Sequence, residues 1–146
     1  MTVHKGQTMD EITQHISRIV EGIEAKDLDG LRHLYSADVV SFDVEPPLQH
    51  AGIDAKLANW AMAFAFFQDV KYEFRDLTVT ADENVAFAYG FGRLHGTTNT
   101  GVAVDGMWVR ATFGLRRTDG HWLVTHDQVS VPFDIATGTA VTGLEP

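Results

Sequence analysis

The sequence predicts an α+β domain, with N-terminal helices packed on one face of a strongly curved, mostly antiparallel sheet. Three observations carry this. Apolar residues first repeat at helical spacing, from Val70 onward they alternate, and the breaks between the alternating runs are short and turn-like. Helices grouped first and strands last is the order of segregated α+β folds. With 146 residues, 45% of them hydrophobic and 21% charged, the chain fits one domain able to bury a real core. It reads as a single unit over 1–146, with loose ends at 1–7 and 135–146.

Each element has its own warrant. Thr8 and Glu11 form a T-x-x-E capping box. Ile12, Ile16, Ile19 and Ile23 then make one apolar helix stripe, expected to end near Lys26. Asp27 caps a second, short helix that turns Leu28, Leu31, Leu34 and Tyr35 inward. Val39 to Val44 is β-branched and aromatic, hence a short strand, and Glu45-Pro46-Pro47 interrupts it. After Gly52, the spacing of Ile53, Leu57, Trp60, Phe64 and Phe67 predicts a third helix. It is apolar around so much of its circumference that deep burial is expected. Strands follow over Val70–Thr80, Val85–Gly96, Val102–Arg117 and Trp122–Phe133. Gly90, Gly92 and Gly96 permit the bends of a coiled sheet. Helices closing one end of such a sheet leave a conical cavity.

Composition removes several function classes. A net charge of −9, with scattered Lys and Arg, argues against nucleic acid. The absence of cysteine excludes disulfides, thiolate metal sites and a cysteine nucleophile. The first residues contain no apolar run, and no uncharged stretch has membrane-spanning length. A cytoplasmic protein with no membrane partner is the expectation.

The candidate site comes from the last two long strands. Strict alternation puts Trp108, Arg110 and Thr112 on one face of the first, and Trp122, Val124, His126, Gln128 and Ser130 on one face of the second. That set reads as the wall of a pocket, apolar with a few directed polar groups. The opposite face, with Leu123, Val129 and Val131 alternating with Thr125 and Asp127, reads as a dimer interface or ordinary surface. His126 serves either as an acid–base group or as a histidine tied up within the sheet. Arg110 needs a carboxylate, and Asp43 is the expected partner, in a ligand-binding or a purely structural pair. Tyr35, Phe42, Trp60, Phe64 and Trp108 supply candidate aromatic contacts, with the core reading accepted for Phe64. His95 is placed at the cavity mouth or in solvent, and His4, His15, His33, His50 and His121 at the surface or in turns.

The ordered strings Phe42-Asp43-x-x-Pro46-Pro47-Leu48, Trp60, Trp108-Val109-Arg110-Ala111-Thr112, Asp119-Gly120-x-Trp122 and His126-x-x-x-Ser130-x-Pro132-Phe133 resemble the NTF2-like superfamily. The branch is the SnoaL-like, or ketosteroid-isomerase-like, one, and the resemblance spans Ile12 to Phe133. It implies a cone-shaped pocket and, commonly, a homodimer packed through sheet faces. It also implies a terminal His-acid-His string. Here that string is His126-Asp127-Gln128, a departure that counts against a two-imidazole or metal site. Ketosteroid isomerases pair an aspartate base with phenol or carboxylic-acid donors. Asp43 fits the base, but the sequence fixes neither Tyr35 nor Tyr89 opposite it. An epoxide-hydrolase constellation matches poorly, because Asp105 falls on the opposite strand face from Arg110.

Three functions remain, because this fold hosts many. The first is an acid–base enzyme without metal or organic cofactor, acting on a small apolar carbonyl compound, with Asp43 or His126 as base and Arg110 as anion stabiliser. The second is a non-catalytic binder of a small apolar or aromatic molecule. The third is a protein-interaction module using the sheet face.

Overall fold

Four isoleucines anchor the first layer. The computed structural model describes residues 5–146, and in it Ile12, Ile16, Ile19 and Ile23 of α1 (Lys5–Glu24) are all essentially inaccessible to solvent. Each such burial contributes about 1.5–3 kcal/mol, enough to fix the helix on the sheet. Lys26 adopts a left-handed φ of 54° that ends the helix. Asp27 then accepts a hydrogen bond from the Gly30 amide at 2.9 Å, capping α2 (Leu28–Arg32) as expected.

The remaining elements are β1 (Tyr35–Phe42), β2 (His50–Ala51), α3 (Ile53–Phe66), β3 (Phe67–Ala81), β4 (Val85–Thr98), β5 (Ala103–Val104), β6 (Trp108–Thr118), β7 (His121–Ser130), β8 (Phe133–Asp134) and β9 (Thr139–Ala140). The main sheet runs β2-β1-β7-β6-β4-β3, with β5 beside β4. Its pairs are antiparallel except β1 with β7. The helices cover one face, α1 against β3 and α3 against β1 and β3. None of the described helices is long and apolar enough to cross a membrane.

Two glycines let the sheet fold over. A Cβ at Gly90 would sit 2.9 Å from the Arg75 carbonyl oxygen, where β3 carries an irregularity between Arg75 and Thr78. A Cβ at Gly92 would sit 2.3 Å from the Tyr72 hydroxyl. Gly92 thus leaves the space in which the Tyr72 phenol lies across the inner face.

Several boundaries differ from the expected ones. The first helix begins at Lys5, so Thr8 lies inside it, buried, and the capping box does not start it. Met1 to His4, part of the expected loose arm, lie outside the described residues. The first strand starts at Tyr35, because the second helix stops after a single turn. The third helix is not deeply buried: Met62 and Phe66 are 71% and 57% exposed, and one side of its apolar surface faces outward. Gly106, at φ 70°, separates β5 from β6. Beyond Pro132, the tail forms a two-stranded hairpin, β8 with β9, where a loose end was expected.

His15 is buried too, where sequence placed it at the surface. Its Nε2 lies 2.9 Å from the Leu34 carbonyl oxygen, so the neutral ring donates there. Burial, aided by the Arg18 charge, holds its pKa below the ordinary 6.5, against the opposing pull of the carbonyl bond. The unfolded chain therefore takes up a proton that the folded one resists, and stability is lost as pH falls below 6.5. Chemical denaturation between about pH 8 and about pH 5 is expected to show a steeper acid loss for the native chain than for His15→Gln. Parallel curves would contradict the assignment.

Candidate functional site

Strand β7 does not alternate strictly, and that decides which side chains meet. Gly114 of β6 pairs with His126, but Leu115 pairs with Val124, leaving Thr125 as an extra, bulged residue. One inserted residue turns everything beyond it to the other face. Before the bulge, Trp122 and Val124 are buried; after it, Asp127 is buried and Gln128 exposed.

Inside the curve lies a cavity of about 420 Å³, open at one side. Ile19 and Ile23 of α1, Trp60 and Phe66 of α3, and Phe74 and Phe113 of the sheet supply apolar wall. Its polar groups are Asp43, Glu45, Lys56, Asn59, Asp127, Tyr35 and Tyr72.

Lys56 is the centre of this polar set. It stands in the first turn of α3, whose start is pinned by the Gly52 amide on the Val39 carbonyl oxygen at 2.7 Å. Its ammonium lies 2.8 Å from Asp127 Oδ2 and 3.5 Å from Asp43 Oδ1, with all three side chains at least nine-tenths buried. It also lies within 6 Å of the Tyr35 and Trp60 rings, at 5.7 and 5.9 Å from their centroids. Asp43 receives a second hydrogen bond from Asn59 Nδ2 at 3.0 Å and touches His50 Nδ1 at 3.1 Å. Each charge is thereby paired in a place where an unpaired one would cost several kcal/mol. Asp127 Oδ1 is buried and has no hydrogen-bond partner among the described residues, and the same holds for the Trp60 indole Nε1. The buried Ser41 hydroxyl, on the residue paired with Asp127 across β1 and β7, is likewise unpartnered.

Both phenols are kept neutral. Burial first, then the Asp127 carboxylate, pushes the Tyr72 phenol far above the ordinary 10.0. Tyr35 is raised well above 10.0 by burial, Asp127, Tyr72 and Asp43. A neutral phenol is a hydrogen-bond donor as well as an acceptor.

The expected site residues divide accordingly. Tyr35, Asp43 and Trp60 line the cavity. Phe64 is core, stacked on Trp60 at 5.7 Å. Arg110, Trp108, His126, Gln128 and Phe42 do not line it. Arg110 is exposed and donates to Ser130 Oγ at 3.2 Å; it makes no pair with Asp43, whose cation is Lys56. The guanidinium groups of Arg75 and Arg93 lie over the Trp108 ring, at 4.4 and 5.1 Å from its centroid. His126 has Nδ1 2.6 Å from the Val40 carbonyl oxygen and its ring edge-on to the part-exposed Phe42. Tyr89 is exposed on the outer face, and His50, expected in a turn, is half-buried beside Asp43.

Lys56, Asn59, Tyr72 and Asp127 were missed. The first two had a signal, being polar residues set between Ile53, Leu57 and Trp60 on the inward stripe of an otherwise apolar helix. Asp127 had none, because nothing in Val124-Thr125-His126 announces a bulge. Among the described residues, no cluster of three or more metal-ligating side chains is present.

A SnoaL-like domain family model matches residues 12–134. An NTF2-like protein of unknown function from Pseudomonas putida KT2440 is 31% identical, over 97% of this chain and 98% of that one, with a TM-score of 0.85. An NTF2-like superfamily protein from Salmonella enterica serovar Typhimurium superimposes with a TM-score of 0.79 at 14% identity, covering 94% and 100% of the two chains. A candidate dehydratase of the NTF2-like family from Streptomyces avermitilis gives 0.76 at 20%, covering 90% and 100%. These last two likenesses establish shared fold alone. No curated protein sequence is significantly similar to the chain.

Because their folded pKa values lie above the unfolded value of 10.0, Tyr35 and Tyr72 add stability below pH 10 that is lost as pH rises beyond it. An ultraviolet difference titration, with Tyr35→Phe and Tyr72→Phe to isolate each signal, is expected to show both phenols ionising together with unfolding. Ionisation of either one in the intact fold would place that phenol in solvent.

Proposed function

Since the chain belongs to the SnoaL-like domain family, with the NTF2-like fold, we propose that it is an acid–base enzyme. Its reaction moves a proton beside the carbonyl group of a small, largely apolar molecule held in the cavity. The observation that carries this reading is the buried Asp127 carboxylate, which has one oxygen on Lys56 and the other without a partner. A carboxylate in the wall of an apolar hollow, with one oxygen held by no donor, acts as the proton acceptor once a bound molecule reaches that oxygen.

In this reading Asp127 removes the proton from the carbon next to the carbonyl. The electron pair moves onto the carbonyl oxygen, where a neutral phenol, Tyr35 or Tyr72, donates a hydrogen bond to the developing oxyanion. Lys56 holds Asp127 through its other oxygen and, once Asp127 is protonated, still balances Asp43. Return of the proton to a different carbon completes an isomerisation, and its return to a departing hydroxyl completes a dehydration. The residues in hand perform either step without a metal or organic cofactor.

We further propose that two copies pair through the outer sheet face, where Phe87 and Tyr89 stack at 6.4 Å while 47% and 48% exposed.

The test of the catalytic reading uses 2-tetralone in deuterated buffer, with exchange at its acidic carbon followed by NMR. The native chain is expected to accelerate exchange. Asp127→Asn is expected to lose about 10²- to 10⁴-fold of that rate, while Arg110→Ala and His126→Ala keep most of it. Binding of the ketone with no exchange above buffer would make the protein a binder; exchange surviving in Asp127→Asn would remove Asp127 as the base.

A further inference from the structure

The charge around the cavity points beyond the reaction type to the class of molecule admitted. Three carboxylates line it, Asp43, Glu45 and Asp127, against one ammonium, Lys56. That ammonium is committed, with Asp127 on one side and Asp43 on the other. Its cation–π partners Tyr35 and Trp60 flank it as well, so among the described residues the wall holds no free lysine or arginine. The buried atoms of the lining that lack a hydrogen-bond partner, Asp127 Oδ1 and Trp60 Nε1, have almost no accessible surface, so neither offsets the charge of the wall. The guanidinium groups of Arg75, Arg93 and Arg110 belong to side chains outside the lining, the Lys26 ammonium is held by the Phe67 carbonyl oxygen, and the His50 ring lies against Asp43.

We infer that the cavity selects uncharged ligands and rejects carboxylates and other anions. The inference rests on the proposed reaction only in taking this cavity as the site. A ligand anion would meet a net negative wall in a water-poor space, where like charges repel far more strongly than in bulk water. A neutral ligand meets no such repulsion. The acidity of the whole chain, −9, repels anions further at long range. Lys56 is a specificity element through its absence from the free pool: in the ion pairs it is a counterion for the protein, not for the substrate.

The discriminating experiment compares two probes of one shape, 2-naphthamide and 2-naphthoate, by isothermal titration calorimetry at mildly alkaline pH. The amide is expected to bind at least about 30-fold more tightly than the carboxylate. Glu45→Gln at the mouth and the isosteric Asp127→Asn are each expected to narrow that gap, with folding confirmed by circular dichroism. Equal or tighter binding of the carboxylate would overturn the inference and make Lys56 an anion receptor; failure of both probes to bind would overturn it as well. Preference for the amide, without exchange of 2-tetralone, would leave the charge selection standing and remove the catalytic reading alone.

Discussion

The Lys56 ammonium between Asp127 and Asp43 is the contact on which the rest of this site depends. It joins the first turn of α3 to the end of β1 and the middle of β7, three elements distant in sequence. Burying two carboxylates this close together without a cation would be prohibitive, since like charges in a low dielectric raise each other's energy by several kcal/mol. Burying the lysine alone would be equally costly. Together they hold the helix over the sheet and keep the hollow beneath it open. They also leave a carboxylate oxygen unpaired in a place where water is scarce.

That arrangement depends in turn on one inserted residue. Thr125 sits out of register between the Val124–Leu115 and His126–Gly114 pairs. Without the bulge, His126 and Gln128 would face inward and Asp127 would join the outer face. With it, the polar centre is built from a lysine and two aspartates in place of an arginine and a histidine. The phenols follow the same logic. Tyr72 finds room because Gly92, diagonally across on β4, has no side chain, and its neutrality is a consequence of burial beside Asp127.

The fold was legible because its signals are redundant. The isoleucine stripe of α1, the Asp27 cap, the turn at Asp119-Gly120 and the alternation of the four long strands each pointed the same way. The resemblance to SnoaL-like proteins reached the right family from short, ordered strings. Much of the site was not legible. Tyr35, Asp43 and Trp60 could be placed because they flank or line helices whose inward stripe was clear. Asp127 could not, because a strand's parity is carried by every residue before it, and a bulge leaves no mark in composition. Lys56 was hidden by the ordinary expectation that lysine lies in solvent.

The most direct measurement is a double-mutant cycle between Lys56→Met and Asp127→Leu by chemical denaturation, with Lys56→Met and His126→Ala as the control cycle. Each change at the buried pair strands a charge, so each alone is expected to cost about 3–5 kcal/mol. The double variant should cost much less than the sum, a coupling of about 2 kcal/mol or more, and the control pair should be additive within about 0.5 kcal/mol. Additivity between Lys56 and Asp127, or strong coupling of Lys56 to His126 instead, would mean that β7 keeps its strict alternation and that the site described does not exist.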